Sequence, residues 1–170
     1  TELMNSITRR RALFNDPGAM AAIAGSSAAI AALIAITPAF NDLLKTNTAA
    51  PLIAGSTSAI NTITADTAAT ERLAASTTFM TAIAASSVAM DIIANHEPTL
   101  IIFKASSVAS GALMASEAAM NILLSTPLGE QYFGEDFVGI CMMNPGLGVD
   151  GWVRINKNGN TITMTDPEIY

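Results

Sequence analysis

The sequence has very few residues of the types that bind metals or form disulfides. Among 170 residues there is one cysteine, Cys141, and one histidine, His96. A single cysteine excludes an internal disulfide framework and a cysteine-rich zinc site, and a single histidine excludes a histidine-rich metal site. Neither an HExxH nor a CxxC spacing occurs. We therefore predict no metal and no cofactor.

Charged and aromatic residues are also scarce. They make up 13% and 5% of the chain, whereas hydrophobic residues reach 51%, mainly as Ala, Ile, Leu and Met. The net charge is −6, and the only basic run is residues 9–11. This balance argues against nucleic acid or an anionic membrane as partner, because both bind dense Lys/Arg surfaces. Every apolar segment is interrupted before 18 residues, so no membrane insertion is expected, and residues 1–11 lack the apolar core of a signal peptide.

A ten-residue period runs through residues 19–128 without an insertion. The first position of a block is Ala in nine of eleven blocks, and the second is mostly large and apolar. The fifth position is large and apolar in all eleven: Ile23, Leu33, Leu43, Ile53, Ile63, Leu73, Ile83, Ile93, Phe103, Leu113 and Leu123. The eighth is Ser, Thr or Asp in nine: Ser26, Thr46, Ser56, Asp66, Ser76, Ser86, Ser106, Ser116 and Thr126. Leu3, Ser6, Leu13 and Asp16 keep this phase, so the array is expected to start near residue 1.

Each block predicts one short helix. Ser, Thr or Asp at the eighth position can accept hydrogen bonds from the free amides of the following helical turn. Four prolines fall one or two residues after that position, where a missing N–H is harmless, and only Pro51 is out of phase. The pattern predicts about seven or eight helical residues per block, with the first, second, fifth and sixth positions forming one apolar stripe.

Helices this short are unstable alone, because isolated helices need about 12 to 15 residues to be even marginal. We therefore predict a mainly α solenoid in which neighbouring blocks share apolar faces. A continuous coiled coil is disfavoured by the prolines, and a β-solenoid by the missing second large apolar residue in each block. The sequence leaves the number of blocks per solenoid turn open.

The composition changes after Pro127, which divides the chain into a repeat domain, residues 1–128, and a small β-rich domain, residues 129–170. Residues 137–143, 152–155 and 161–165 read as strands, and Asn158-Gly159 is a hairpin signal. Forty residues bury little core of their own. This β-meander is therefore predicted to cap the last repeat, or alternatively to pack against copies of itself in an oligomer.

Candidate nucleophiles and bases do not form a recognisable catalytic set. His96 occupies an eighth position and reads as structural. The serine pairs recur at the repeat period, as helix caps would, whereas catalysis needs one distinct serine, and no GxSxG motif is present. These pairs are Ser26-Ser27, Ser86-Ser87 and Ser106-Ser107. We predict no catalytic residue.

The C-terminal region offers three weaker signals. Trp152 could stack on a sugar or contact a receptor, but it reads more simply as a core residue of a strand. Gly146, Gly148 and Gly151 resemble a phosphate loop, yet no helix is predicted after them. Paired carboxylates suitable for glycoside hydrolysis could come from four residues, which more often solvate a loop. These are Glu130, Glu135, Asp136 and Asp150.

The block pattern S-S-x-A-M-x-x-I-A-x, clearest at Ser86-Ser87-Val88-Ala89-Met90 with Ile93-Ala94, resembles the decapeptide repeats of bacteriophage tail-fibre and tail-associated proteins. The resemblance covers about residues 9–128. It implies a non-enzymatic virion protein, a spacer or adaptor of a tail fibre or part of a host-recognition tip. Expected partners are other virion proteins, further copies in a homotrimer and a host surface glycan or protein, and the expected location is the phage tail, outside the cell.

Two other functional classes stay open. One is a stand-alone binding module whose regular Ser/Thr positions recognise a repetitive ligand such as a glycan or ice, although the mixed composition of that column argues against ice. The other is a tail-associated polysaccharide hydrolase that uses the acidic residues after Leu128.

Overall fold

The computed structural model of the chain describes residues 6–134 and the backbone of 137–141, 151–156 and 161–165. These residues form thirteen helices of six to nine residues and three strands. The predicted mainly α fold is confirmed. The helices are α1 (Ile7–Phe14), α2 (Pro17–Ala24), α3 (Ser27–Ala35), α4 (Thr37–Leu43), α5 (Ala49–Ala54), α6 (Thr57–Thr64), α7 (Thr67–Ala74), α8 (Thr77–Ala84), α9 (Ser87–Ile93), α10 (Glu97–Ala105), α11 (Ser107–Met114), α12 (Glu117–Leu124) and α13 (Pro127–Phe133).

Most helices begin where the sequence predicts. Ser56 has extended backbone angles, φ −106° and ψ 112°, and its Oγ accepts a hydrogen bond from the Ala59 amide at 3.2 Å. Such caps each contribute about 1 kcal/mol to helix stability. The same contact, with the amide three residues on, is made by Ser6, Asp16, Ser26, Asp66, Ser76, Ser86, Ser106, Ser116 and Thr126.

The predicted cap at Thr46 is wrong. Its Oγ1 instead donates back to the Asp42 carbonyl at 3.0 Å, and α5 begins only after Thr48, which has helical angles and no capping side-chain bond. This late start explains why Pro51 is out of phase. Pro51 is the third residue of the short helix α5, still within the first turn, where its missing N–H leaves no helical hydrogen bond unmade.

Three helices complete one turn of the solenoid. Consecutive helices turn sharply, by 99° between α2 and α3 and by 97° between α11 and α12. Helices three places apart along the chain then pack on one another, as α5 does on α2 and α8 does on α5, and only α4 and α7 pack less closely among the described helices. The chain thus forms a triangular stack with 30 residues per turn. Its sides are row 1 (α1, α4, α7, α10, α13), row 2 (α2, α5, α8, α11) and row 3 (α3, α6, α9, α12).

The predicted apolar stripe forms the core. In α6 the first, second, fifth and sixth positions, Ala59, Ile60, Ile63 and Thr64, are all buried. Burying one Ile contributes roughly 1.5–3 kcal/mol, and the small Ala at the first position lets adjacent turns approach closely. The largest fully buried side chains include five phenylalanines, distributed from the first turn to the last: Phe14, Phe40, Phe79, Phe103 and Phe133.

The helical stack extends past the predicted domain boundary at residue 128. Helix α13 contains that boundary, packs on α10, and buries Gly129 and Phe133 at the first and fifth positions of one further block. Three strands follow in an antiparallel order β1-β2-β3: β1 (Phe137–Cys141), β2 (Gly151–Asn156) and β3 (Thr161–Thr165). That they cap the stack stays a prediction. The Asn158-Gly159 hairpin lies outside the described residues.

Candidate binding surfaces

The first serine of each pair is committed to the fold. Ser86 Oγ accepts from the Ala89 amide at 3.3 Å and also donates to the Ala54 carbonyl, 32 residues earlier, at 2.7 Å. One hydroxyl therefore caps its own helix and bonds to the end of the helix one turn below. Six residues, Ser56, Ser76, Ser86, Ser106, Ser116 and Thr126, donate in this way to Ala24, Leu44, Ala54, Ala74, Ala84 and Ala94. We call this series the hydroxyl ladder.

The ten-residue pattern predicts the caps but not the ladder. The signal that could have revealed it is the residue type, because capping alone is satisfied equally well by Asp or Asn. A carboxylate cannot donate a hydrogen bond, whereas a hydroxyl accepts and donates through the same oxygen atom. The preference for Ser and Thr at the eighth position is thereby explained.

His96 has a local structural partner. It precedes α10 without a capping side-chain bond, and its Nδ1 lies 2.8 Å from Oγ1 of Thr99, which is fully buried. Among the described residues, His96 forms no hydrogen bond with any of the paired serines. Within the residues whose side chains are described, no group of three or more His, Cys, Asp or Glu residues could hold a metal ion.

The other predicted candidates are dispersed. Glu130 lies exposed on α13, while Trp152 and Gly151 belong to β2, where Trp152 pairs with Cys141 of β1 and Met164 of β3. The remaining acidic and glycine candidates lie outside the described residues: Glu135, Asp136, Asp150, Gly146 and Gly148.

The three sides of the stack differ in charge. The four helices of row 2 contain no charged residue, and those of row 3 contain only Asp91 and Glu117. Row 1 carries the remaining helical charges: Arg9, Arg10, Arg11, Asp42, Glu71, Arg72, Glu97, Lys104 and Glu130. Residues 30 apart in the sequence lie above one another in the stack, so writing the sequence in rows of 30 residues separates the charged blocks from the uncharged ones.

Row 1 is held together by polar contacts between turns. Arg10, which is 8% exposed, bonds to Asp42 Oδ2 through Nε at 2.7 Å and Nη2 at 2.6 Å. Near the other end, the Tyr132 hydroxyl donates to Glu97 Oε1 at 2.7 Å. That hydrogen bond to a carboxylate stabilises the neutral phenol and raises the pKa of Tyr132 above its ordinary value of 10.0.

Two grooves flank the segment between α4 and α5. The larger, of about 510 Å³, is lined by Lys45 and Arg72 together with Asn41, Leu44, Ala75, Ser76, Thr77 and Thr78; we call it the Lys45–Arg72 groove. The smaller, of about 410 Å³, is lined by Ile7, Arg11, Asn15, Asp42, Lys45, Thr46 and Asn47. They are concave features in which a small ligand could be held on this side of the stack.

None of the described helices is by itself long and apolar enough to cross a membrane; α2 with α3, and α11 with α12, reach the required length and composition only as sharply bent pairs. Comparison with models of protein families finds no match. A search of curated proteins also finds no significant match. What this chain does must therefore be inferred from its stacked repeats and the chemistry of its surfaces.

Proposed function

We propose that this chain is a non-enzymatic structural protein of a bacteriophage tail, a spacer or adaptor within a tail fibre. The observation that carries the proposal is the regularity of the stack: the hydroxyl ladder joins successive turns by the same contact six times. Such a stack is a rod whose length is set by the number of repeats. The phage assignment rests on the resemblance of the block pattern.

The dimensions suit a spacer. Stacked helices lie about 8–10 Å apart, so thirteen helices at three per turn give a rod roughly 40 Å long. Duplicating residues 57–86, one complete turn, should lengthen the rod by about 9 Å without loss of thermal stability. Small-angle X-ray scattering measures the first quantity and circular dichroism the second. An unchanged maximum dimension, or an unfolded protein, would contradict the spacer role.

We propose further that the rod assembles as a homotrimer through row 2. Burying this side costs little desolvation, because its helices carry no charge, whereas row 1 is charged. Light scattering after size exclusion should give three chains at every concentration. Ala21→Glu places a charge on the exposed surface of row 2 and should dissociate the trimer, while Ala31→Glu, the same repeat position in row 3, should not. A monomeric parent protein would refute the trimer and leave the spacer standing.

We also propose that β1, β2 and β3 cap the C-terminal end of the stack. Solenoids expose apolar surface at their ends and need a terminal element that covers it. A chain truncated after Gly134 should lose thermal stability and self-associate, measured by circular dichroism and light scattering. A truncated chain that matches the full chain in both would exclude the cap.

A second candidate function is a stand-alone module that binds a repetitive ligand such as a host-surface glycan. The Lys45–Arg72 groove favours it, since a groove of about 510 Å³ falls within the usual size range of small-ligand sites. An array of immobilised bacterial glycans distinguishes the roles. Saturable binding that Arg72→Gln weakens would favour the module, and absence of binding would favour the spacer.

A further inference from the structure

The Lys45–Arg72 groove lies at an irregularity of row 1. Neighbouring turns pack closely at every other pair of helices three apart, but α4 and α7 pack less closely. The two helices begin differently: α4 follows Ile36, which forms no side-chain cap, whereas α7 is capped by Asp66. The link to α5 is also longer, since Thr46 does not begin a helix. The groove opens beside this link, with Leu44 and Ala75 as apolar lining.

The groove holds positive charge without a matching carboxylate. Lys45 is exposed and Arg72 is half-buried, and neither Asp nor Glu is among the described residues that line the groove. The carboxylate of Asp42 is engaged by Arg10, and Arg72 Nη1 makes only a long contact, 3.4 Å, with Thr37 Oγ1. The groove thus carries two cations in a chain whose net charge is −6.

Neutral donors lie beside the two cations. Thr77 and Thr78 are the first two residues of α8, so their amides take no part in the hydrogen bonding within that helix. The hydroxyl of Ser76 is already committed to the Phe79 amide and the Leu44 carbonyl. The amide side chain of Asn41 completes the polar lining. These groups can donate to an anion that the cations attract.

We propose that the Lys45–Arg72 groove binds an oxyanion, a carboxylate, sulfate or phosphate group that is either free or carried on a sugar. The guanidinium of Arg72 provides paired donors for two oxygens of one anion, and Lys45 adds a point charge. The apolar lining of Leu44 and Ala75 can contact the body of a carrier sugar. This inference stands apart from the spacer role, because it depends only on the groove.

The test is a titration of the full chain followed by heteronuclear NMR. Sodium phosphate, sodium sulfate and galacturonate are added separately at constant low ionic strength, with sodium chloride as the reference. We expect saturable shifts at the amides of Thr77 and Thr78 and a dissociation constant of about 1 mM, as for a small open site. Tighter binding of galacturonate than of the inorganic ions would identify the sugar-borne anion as the source, and equal binding would identify the free ion.

Three variants give the decisive comparison. Arg72→Gln and Lys45→Gln should each weaken binding about tenfold, because each removes a charge-assisted contact. Arg9→Gln removes the same charge from an exposed site on row 1 outside the groove and should leave binding unchanged. Lys45 is exposed, so its variant keeps the test valid even where Arg72→Gln unfolds. Chloride-like, non-saturating shifts, or equal weakening by all three variants, would overturn the proposal.

Discussion

Replacing Ser86 by Ala tests whether the hydroxyl ladder stabilises the stack. The substitution removes two contacts at once, the cap on the Ala89 amide and the donation to the Ala54 carbonyl. Ala54 is fully buried and ends α5, so its carbonyl has no partner within that helix. Ser26 provides the matched control, because it caps α3 through the Ala29 amide and its hydroxyl donates to no other turn among the described residues.

The expected costs follow from these contacts. Loss of a Ser cap costs about 1 kcal/mol, and a buried carbonyl left without a donor costs a further 1–3 kcal/mol, approximately. Ser86→Ala should therefore lower the free energy of unfolding by about 2–4 kcal/mol, and Ser26→Ala by about 1 kcal/mol. The difference between the two variants isolates the contact between turns.

Urea denaturation followed by circular dichroism measures both costs, and agreement with tryptophan fluorescence from Trp152 checks for a single transition. Hydrogen exchange should also rise most at the junction of α5 with α8 and α9, where Ala54 loses its donor. Equal destabilisation by the two variants would refute the ladder as a source of stability and reduce Ser86 to an ordinary cap.

Three further predictions follow from particular contacts. Gly129→Ala should destabilise the chain by about 1–3 kcal/mol, because a Cβ there would lie 2.6 Å from the Leu123 carbonyl carbon. A Cβ at Gly111 would meet nothing within 4 Å, so Gly111→Ala should stabilise α11 by about 0.5–1 kcal/mol. Thermal melts of the two variants test this difference. Glu97→Ala should lower the pKa of Tyr132, measured by absorbance titration in a Tyr170→Phe background so that Tyr132 is the one tyrosine left. The hydrogen bond of Tyr132 contributes its full stability below pH 10.0, and this contribution is lost as the pH rises through the raised pKa. Ile83→Asp places a carboxylate in a fully buried position of the fifth column and should unfold the array, and an unchanged melting temperature would count against the core described above.

The ten-residue period predicts the local structure well because caps and burial depend on residues close in sequence. Most eighth-position residues begin helices, and the first, second, fifth and sixth positions are buried as predicted, as in α6. The exceptions are also local. Thr46 fails as a cap because its hydroxyl donates to Asp42 instead. The start of α13 at Thr126 was predicted, but its extension past residue 128 was not, although Phe133 keeps the fifth position.

The number of helices per turn was not predictable from the period, because it depends on the angle at each corner. A ten-residue block specifies a helix and a link, and any repeated corner angle is compatible with that pattern. That three helices make a turn is shown only by the packing of helices three places apart, such as α2 with α5 and α5 with α8. The Lys45–Arg72 groove was missed for the same reason, since Lys45 and Arg72 become neighbours only when 30 residues make a turn.

Once three helices make a turn, the chemistry of the eighth position follows. Asp can cap a helix, as Asp16 and Asp66 do, but it cannot donate to the carbonyl one turn below. Asp66 caps α7, and the residue 32 positions before it is Ile34, near the end of α3. The ladder is thus interrupted at Asp66, whereas it is intact beside the Lys45–Arg72 groove, where Ser76 donates to the Leu44 carbonyl. Asp66→Ser therefore supplies a donor for the Ile34 carbonyl and should raise the melting temperature measured by circular dichroism, and an unchanged or lower melting temperature would count against the ladder as a source of stability.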